Sequence, residues 1–197
     1  MAEGNPTGAL RLFIAITLPE AVRQAVLRVQ SQLQPLVPGG AARWSRPDQF
    51  HLTLCFLGSV PMEQVDPLQA AAAAVCRSGN FLKLRAAGLG FFPHARAPRV
   101  LWVGIDDPDL AALQRRLADA VRPFTAESTG EKFVGHLTLA RLGWERFNPR
   151  KLANAVQAQS DRCFGEWTAE EIELVRSELS AAGARHTPLT IFPLGGH

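Results

Sequence analysis

The chain has 197 residues, of which 47% are hydrophobic and 20% charged, and its formal net charge is +3 at pH 7. This balance is typical of a globular protein of one domain or two closely packed lobes, and no apolar stretch approaches the roughly 20 residues needed to cross a bilayer. Three cysteines without CxxC spacing argue against a disulfide framework or a cysteine-based zinc site. The charge permits a phosphate-bearing ligand but forms no basic tail.

The first residues of the chain show no basic segment followed by an apolar one. We therefore expect residues 1–9 to be a disordered lead-in and not a signal peptide, which predicts a cytoplasmic protein with reduced cysteines. No linker rich in proline, glycine or serine divides the sequence. Residues 1–197 are expected to form a single domain of two lobes, present as a monomer.

In the first half of the chain, strands and helices alternate. The apolar run at 10–18 predicts a strand, and Pro19–Glu20 opens a helical pattern that ends before the prolines and glycines at 35–40. A turn at 46–49 leads into the strand HLTLCFL at 51–57. A helix from Pro61 to about Arg77 and two strands, at 81–92 and 99–105, complete this half.

The second half begins with a helix from Pro108 to about Thr125, followed by a second HLTL strand at 136. A short helix from Pro149 to about Gln159, one long strand at 166–179 and a strand at 186–192 complete the pattern. Many strands follow one another without an intervening helix. This order favours an α+β fold with antiparallel sheets over a doubly wound parallel sheet.

One motif occurs twice: HLTLCFLG at 51–58 and HLTLARLG at 136–143. A four-residue match alone would be weak evidence in a leucine-rich chain. Six of the eight positions are identical, however, both copies fall on predicted strands, and both end in Leu-Gly. The repeat is therefore the strongest functional signal in the sequence.

Strand alternation separates the side chains of each copy onto two faces. His51 and Thr53 point one way and the intervening leucines the other, and the same holds for His136 and Thr138. The leucines can anchor each strand in a core. A single His-Thr pair would most often be structural, but two equivalent pairs favour one site shared by two halves that meet about a pseudo-twofold axis.

Two imidazoles and two hydroxyls facing one cleft suit acid–base chemistry on a phosphodiester. A neutral imidazole can accept a proton from water while a protonated one delivers a proton to the departing oxygen. The threonine hydroxyls can donate hydrogen bonds to the non-bridging phosphate oxygens. The set includes no carboxylate or third nitrogen at metal-ligand spacing and no serine or cysteine nucleophile, so we expect no metal and no cofactor.

The two copies resemble the paired H-x-T-x motifs of the 2H phosphoesterase superfamily. Their surroundings are similar to segments of the RNA 2′,3′-cyclic phosphodiesterases, historically called 2′-5′ RNA ligases, and appear in the same order. The resemblance covers about residues 11 to 194. The segments that carry it are RLFIAITLPE, RWSRPDQFHLTLCFLGSV, GLGFFPHARAPRVLWVGI and LVRSELSAAGARHTPLTIFPL.

This resemblance implies a bilobal α+β fold, with two antiparallel sheets and flanking helices around a central cleft. It implies metal-independent hydrolysis of the terminal 2′,3′-cyclic phosphate of an RNA or nucleoside to a 2′-phosphate. In that scheme His51 donates the proton to the leaving 3′ oxygen and His136 activates water. Two alternatives stay open: 2′-5′ ligation of RNA ends in the same cleft, and a nucleotide- or RNA-binding module without turnover.

Phe56 and Arg141 occupy the same position in the two copies, five residues after each histidine. Simple alternation places both on the leucine face, as a core phenylalanine and a surface arginine. The resemblance instead places both near the substrate, which requires a twist or a bulge at the strand end. In that position Arg141 would bind phosphate or stack on a base, and Phe56 would stack on a base.

Several residues outside the repeat also bear on the site. Compared with the family, glycine stands at 135 where proline is common, and histidine at 186 where tyrosine is frequent. Three arginines could extend a positive surface towards RNA, or simply favour solubility: Arg43, Arg96 and Arg99. His94 and His197 are expected to be solvated.

Overall fold

The fold is described from a computed structural model, for residues 8–127, 133–143, 147–180 and 183–195. Nine strands and four α-helices are present in these ranges. In chain order they are β1 (Ala9–Thr17), α1 (Glu20–Leu33), β2 (Ala42–Trp44), β3 (His51–Pro61), α2 (Met62–Arg77), β4 (Leu82–Phe92), β5 (Val100–Asp106), α3 (Leu110–Val121), β6 (His136–Leu142), α4 (Arg150–Gln157), β7 (Cys163–Ala169), β8 (Glu171–Ser180) and β9 (Gly183–Pro193).

The strands form two antiparallel sheets. The first sheet has the order β3-β1-β8-β9, and the second sheet has the order β2-β6-β5-β4-β7. Each sheet contains one copy of the repeated motif, because β3 carries the first HLTL and β6 the second. The predicted α+β class with two antiparallel sheets is confirmed.

Two helices each pack against one sheet although the strand that precedes them in the chain belongs to the other sheet. Helix α1 follows β1 of the first sheet but contacts β7 of the second, and α3 follows β5 of the second sheet but contacts β3 of the first. Leucine and valine side chains at 110, 113, 117 and 121 form the buried face of α3, as the helical spacing predicts. These crossings tie the two sheets together.

The four leucines of the repeated motif lie in the core. Leu52, Leu137 and Leu139 are fully buried, and Leu54 is 3% exposed. They belong to one continuous cluster of buried apolar side chains drawn from both sheets and from the helices. The leucines therefore pack one face of each motif strand into the core, and the histidines and threonines lie on the opposite face.

The prediction of one long strand at 166–179 is wrong. The chain leaves β7 of the second sheet at Ala169 and enters β8 of the first sheet at Glu171, with Glu170 between them. Alternation of polar and apolar residues is present on both sides of this break. It reports that a strand is half-buried but not which neighbour it pairs with, so it cannot reveal a change of sheet.

The start of the chain and one short strand complete the comparison with the sequence. Ala9 was expected in the lead-in but lies in β1, where it pairs with Pro61 of β3. Residues 1–7 of the expected lead-in lie outside the described residues. Strand β2 was not predicted, since three residues are too few to show a periodic pattern. Within the described ranges, no helix has the length and apolar character needed to cross a membrane.

Candidate active site

A cleft of about 580 Å³ lies between the two sheets and is lined by residues from both. All six residues singled out in the repeat line this one cleft: His51, Thr53, Phe56, His136, Thr138 and Arg141. A neighbouring hollow of about 780 Å³ shares Phe133 and Val134 with the cleft but is lined by none of the six. The chemistry of the lining residues therefore identifies the smaller cavity as the candidate site.

A β-bulge in β3 sets which side chains reach the cleft. In its pairing with β1, Cys55 lies opposite Ile14 and Thr53 lies opposite Ala15, so Leu54 is skipped in the register. A bulge adds one residue to one strand and shifts the alternation beyond it. Two consecutive residues of β3, 54 and 55, are consequently both buried.

Strand β6 carries the same bulge at the same motif position. Its pairing with β5 includes Thr138 and Ala140 but skips Leu139. After each bulge the next side chain turns towards the cleft, so that Phe56 is 57% exposed and Arg141 is exposed. Simple alternation was wrong for these two positions. A bulge is present in both strands, but it lies within each strand and not at the strand end, where the resemblance had led us to expect it.

Glutamines from two helices bind the carbonyl groups at the two bulges. Gln30 of α1 donates to the carbonyl oxygens of Leu139, at 3.1 Å, and Ser45, at 2.8 Å. Gln114 of α3 donates to the carbonyl oxygen of Leu54 at 3.3 Å. Each helix thus secures the motif strand of the opposite sheet. Our sequence reasoning missed this pair, although a glutamine on the apolar face of α1 was a visible signal.

One ring nitrogen of each motif histidine is held by backbone. His136 donates from Nδ1 to the carbonyl oxygen of Val134 at 2.8 Å, and the His51 ring donates to the backbone of Gln49. In both copies the acceptor lies two residues before the histidine. These bonds orient the rings and leave the second nitrogen of each imidazole for proton exchange.

Both motif histidines titrate below the ordinary range. Burial lowers the pKa of His51 to about 4, and the positive charges of His186 and His136 act in the same direction. Burial also lowers the pKa of His136, and the charge of Arg141 contributes to that decrease. The backbone hydrogen bonds oppose these effects only in part. At neutral pH both imidazoles are therefore mainly neutral.

A third histidine lies beside the first. The His51 ring stacks on Phe13, with ring centroids 4.8 Å apart. The rings of His51 and His186 make a T-shaped contact, with centroids 5.2 Å apart. His186 also lines the cleft and contacts Phe13 at 5.0 Å. The family departure at 186 is therefore a direct neighbour of a candidate catalytic group, which the sequence did not indicate.

The other departure, Gly135, has a steric explanation. A Cβ atom at this position would lie 2.6 Å from the carbonyl oxygen of Ile105, and the Ile105 amide donates to the Gly135 carbonyl at 2.9 Å. Glycine allows β5 to approach the chain directly before His136.

Of the remaining basic residues noted in the sequence, only some lie at the cleft. Arg43 lines the cleft, whereas Arg96, Arg99 and His94 are exposed and line neither cavity. His197 lies outside the described residues. In the part of the chain that is described, no three His, Cys, Asp or Glu side chains come together as a metal-binding group.

Comparison with known proteins agrees with this arrangement. Residues 16–102 and 103–186 each match the model of the LigT-like phosphoesterase family, and each match contains one HLTL motif. An RNA 2′,3′-cyclic phosphodiesterase from Thermus thermophilus is 34% identical over 95% of this chain and 91% of its own length. Each match includes strands of both sheets, and each contains one of the two motif strands that line the cleft.

Solved structures show the same fold. A Thermus thermophilus protein superimposes with a TM-score of 0.79 at 32% identity, covering 95% of this chain and 99% of that one. Escherichia coli LigT complexed with 3′-AMP superimposes with a TM-score of 0.70 at 28% identity, covering 94% and 98%. The chain therefore belongs to the LigT-like phosphoesterases, in the family of the RNA 2′,3′-cyclic phosphodiesterases, and is a phosphodiester hydrolase.

Proposed function

We propose that this protein hydrolyses the terminal 2′,3′-cyclic phosphate of RNA, or of a nucleoside, to a 2′-phosphate without a metal ion. The observation that carries the proposal is the cleft itself, in which each repeat supplies one histidine and one threonine from equivalent strand positions. The E. coli relative bound to 3′-AMP supports a ligand with a phosphate on the ribose. The curated relative from Thermus supports the cyclic diester as substrate.

In the proposed reaction, the free ring nitrogen of His136 accepts a proton from water as the water oxygen attacks phosphorus. The bond from phosphorus to the 3′ oxygen breaks, and protonated His51 donates its proton to that oxygen. The product carries a 2′-phosphate and a 3′-hydroxyl. The two histidines end with their protonation states exchanged, and a proton returned through solvent restores the starting state.

This scheme requires His51 to gain a proton when substrate binds, since its pKa in the free protein is about 4. An anionic phosphate within a few ångströms stabilises the charged imidazole and raises its pKa. His51 is half-buried, and partial removal from solvent strengthens this interaction. Substrate binding therefore produces the protonated form of His51 that acts as the general acid.

The other cleft residues stabilise the charge that develops on the phosphate. Thr53 and Thr138 donate hydrogen bonds to the two non-bridging oxygens, and the Arg141 guanidinium neutralises their charge. The exposed ring of Phe56 offers a flat surface on which the terminal base stacks. The acid and the base thus occupy equivalent positions in the two motifs. Phe56 and Arg141 also occupy equivalent positions but differ in residue type, and this difference sets the orientation of the nucleotide.

The test is hydrolysis of adenosine 2′,3′-cyclic phosphate in excess EDTA, with the product identified by 31P NMR. We expect wild-type turnover to persist and to yield the 2′-phosphate. His51→Ala and His136→Ala should each lower kcat by roughly 10²- to 10⁴-fold. His94→Ala, which removes an exposed histidine outside the cleft, is the matched control.

Three outcomes would contradict the proposal. Turnover of His136→Ala at the wild-type rate would remove the assigned base. Loss of turnover in EDTA, with recovery on adding a divalent metal, would show metal-assisted chemistry instead. Binding of the cyclic nucleotide without hydrolysis by the wild-type protein would indicate a nucleotide-binding module.

A further inference from the structure

Two arginines face each other at the edge of the cleft. Arg43 on β2 and Arg141 on β6 are directly paired in the strand register, so their side chains leave the same face of the sheet. Both are exposed and both line the cleft. Like charges directly opposite each other destabilise a strand pair unless an anion lies between them.

No carboxylate neutralises this pair within the described ranges. The ion pairs found there involve other basic residues: Arg23, Arg46, Arg85, Arg122 and Arg176. Apart from histidines, the charged residues that line the described cleft are Arg11, Arg43, Arg141 and Glu127. Three positive charges and one negative exceed what a singly charged cyclic phosphate requires.

The position of the pair separates it from the reacting phosphate. Because Leu139 is bulged out, Thr138 and Arg141 are two ladder positions apart, which is about 7 Å along β6. Arg43 lies one strand further out, on β2 at the edge of the second sheet. Arg141 can therefore reach the phosphate held by the histidines, whereas Arg43 lies one strand further from it, on the same face of the sheet.

We propose that Arg43 forms a second anion subsite, beside Arg141, that binds the phosphate on the 5′ side of the terminal nucleotide. The ligand class is an RNA strand of two or more nucleotides, or a 5′-phosphorylated nucleoside cyclic phosphate. Guanidinium groups suit this role because they bind phosphate oxygens in a bidentate manner. The inference rests on the proposed function for the placement of the first phosphate.

The test compares adenosine 2′,3′-cyclic phosphate with and without a 5′-phosphate, which isolates the second anion from any added base. In the wild-type protein the 5′-phosphate should raise kcat/KM about tenfold, the value of one charge-assisted hydrogen bond. In Arg43→Gln this advantage should vanish, while hydrolysis of the substrate without a 5′-phosphate stays at the wild-type rate. Arg96→Gln removes the same charge outside the cleft and should behave as wild type.

Two results would overturn the subsite. If Arg43→Gln lowers kcat/KM equally on both substrates, Arg43 acts on the reacting phosphate or on the fold. If Arg43→Gln keeps the advantage of the 5′-phosphate, Arg43 does not bind that phosphate. Thermal unfolding of each variant shows whether the fold is preserved.

A binding measurement distinguishes failure of the subsite from failure of the proposed function. Calorimetry with adenosine 3′,5′-bisphosphate and adenosine 3′-phosphate requires no turnover. The bisphosphate should bind about tenfold more tightly to the wild type and to Arg96→Gln, but not to Arg43→Gln. A wild-type protein that hydrolyses neither cyclic substrate would refute the proposed function, and the binding difference would still decide on the subsite.

Discussion

Replacing His51 with asparagine should make the folded protein less sensitive to acid. Burial holds the His51 pKa at about 4 in the folded state, against the ordinary 6.5 expected after unfolding. Below pH 6.5 the unfolded chain therefore binds a proton that the folded chain does not, and stability falls as the pH approaches 4. The difference in pKa is worth up to roughly 3 kcal/mol, of which about 2 kcal/mol is lost between about pH 7 and about pH 4.5.

Urea unfolding at those two pH values measures this effect. Carboxylates and other histidines add to the acid sensitivity of both proteins, so the quantity of interest is the difference between them. The wild type should lose about 2 kcal/mol more than His51→Asn on acidification. His94→Asn, which replaces an exposed histidine, should retain the wild-type loss. Equal losses in wild type and His51→Asn would refute the burial of a neutral imidazole at this position.

Three further predictions concern the strands and the titration of the site. Gly135→Ala should lower the free energy of unfolding by about 1–3 kcal/mol and slow turnover, because its Cβ would lie 2.6 Å from the Ile105 carbonyl oxygen. In the control variant Gly39→Ala, the added Cβ would have no atom within 4 Å, so neither urea unfolding nor activity should change. Gln30→Leu removes a donor from the buried carbonyl of Leu139 and should cost about 1–2 kcal/mol, with slower turnover; unchanged urea unfolding would contradict this role. In steady-state kinetics, the apparent pKa values of kcat should exceed those of kcat/KM, because bound phosphate favours the imidazolium; coincident profiles would count against substrate-induced protonation.

The sequence predicted the parts of the site that depend on local periodicity. Alternation in the two HLTL copies placed the leucines in the core and the histidines and threonines on the other face, as observed. The helical spacing of α3 likewise identified its buried face. These features follow from one strand or one helix, so a single sequence is enough to find them.

The features that the sequence did not reveal depend on distant parts of the chain. The bulge at Leu139 is bonded by Gln30, 109 residues away in sequence, and no local pattern shows that pairing. The change of sheet at Glu170 depends on the strands that flank it on either side. The ring contact between His186 and His51 likewise joins two separate strands of the first sheet.

The strand order of the first sheet has a consequence for the protein while it is being synthesised. The strand that carries His51 pairs with β1, and the sheet is completed by β8 and β9, which end at residue 193. Two antiparallel strands alone are marginally stable in water. When both histidines of a nascent chain have been synthesised, β8 and β9 are still missing. These are two of the four strands in the sheet that carries His51. We expect activity to appear only after residues 171–193 have left the ribosome and folded, because the sheet that positions His51 is complete only then.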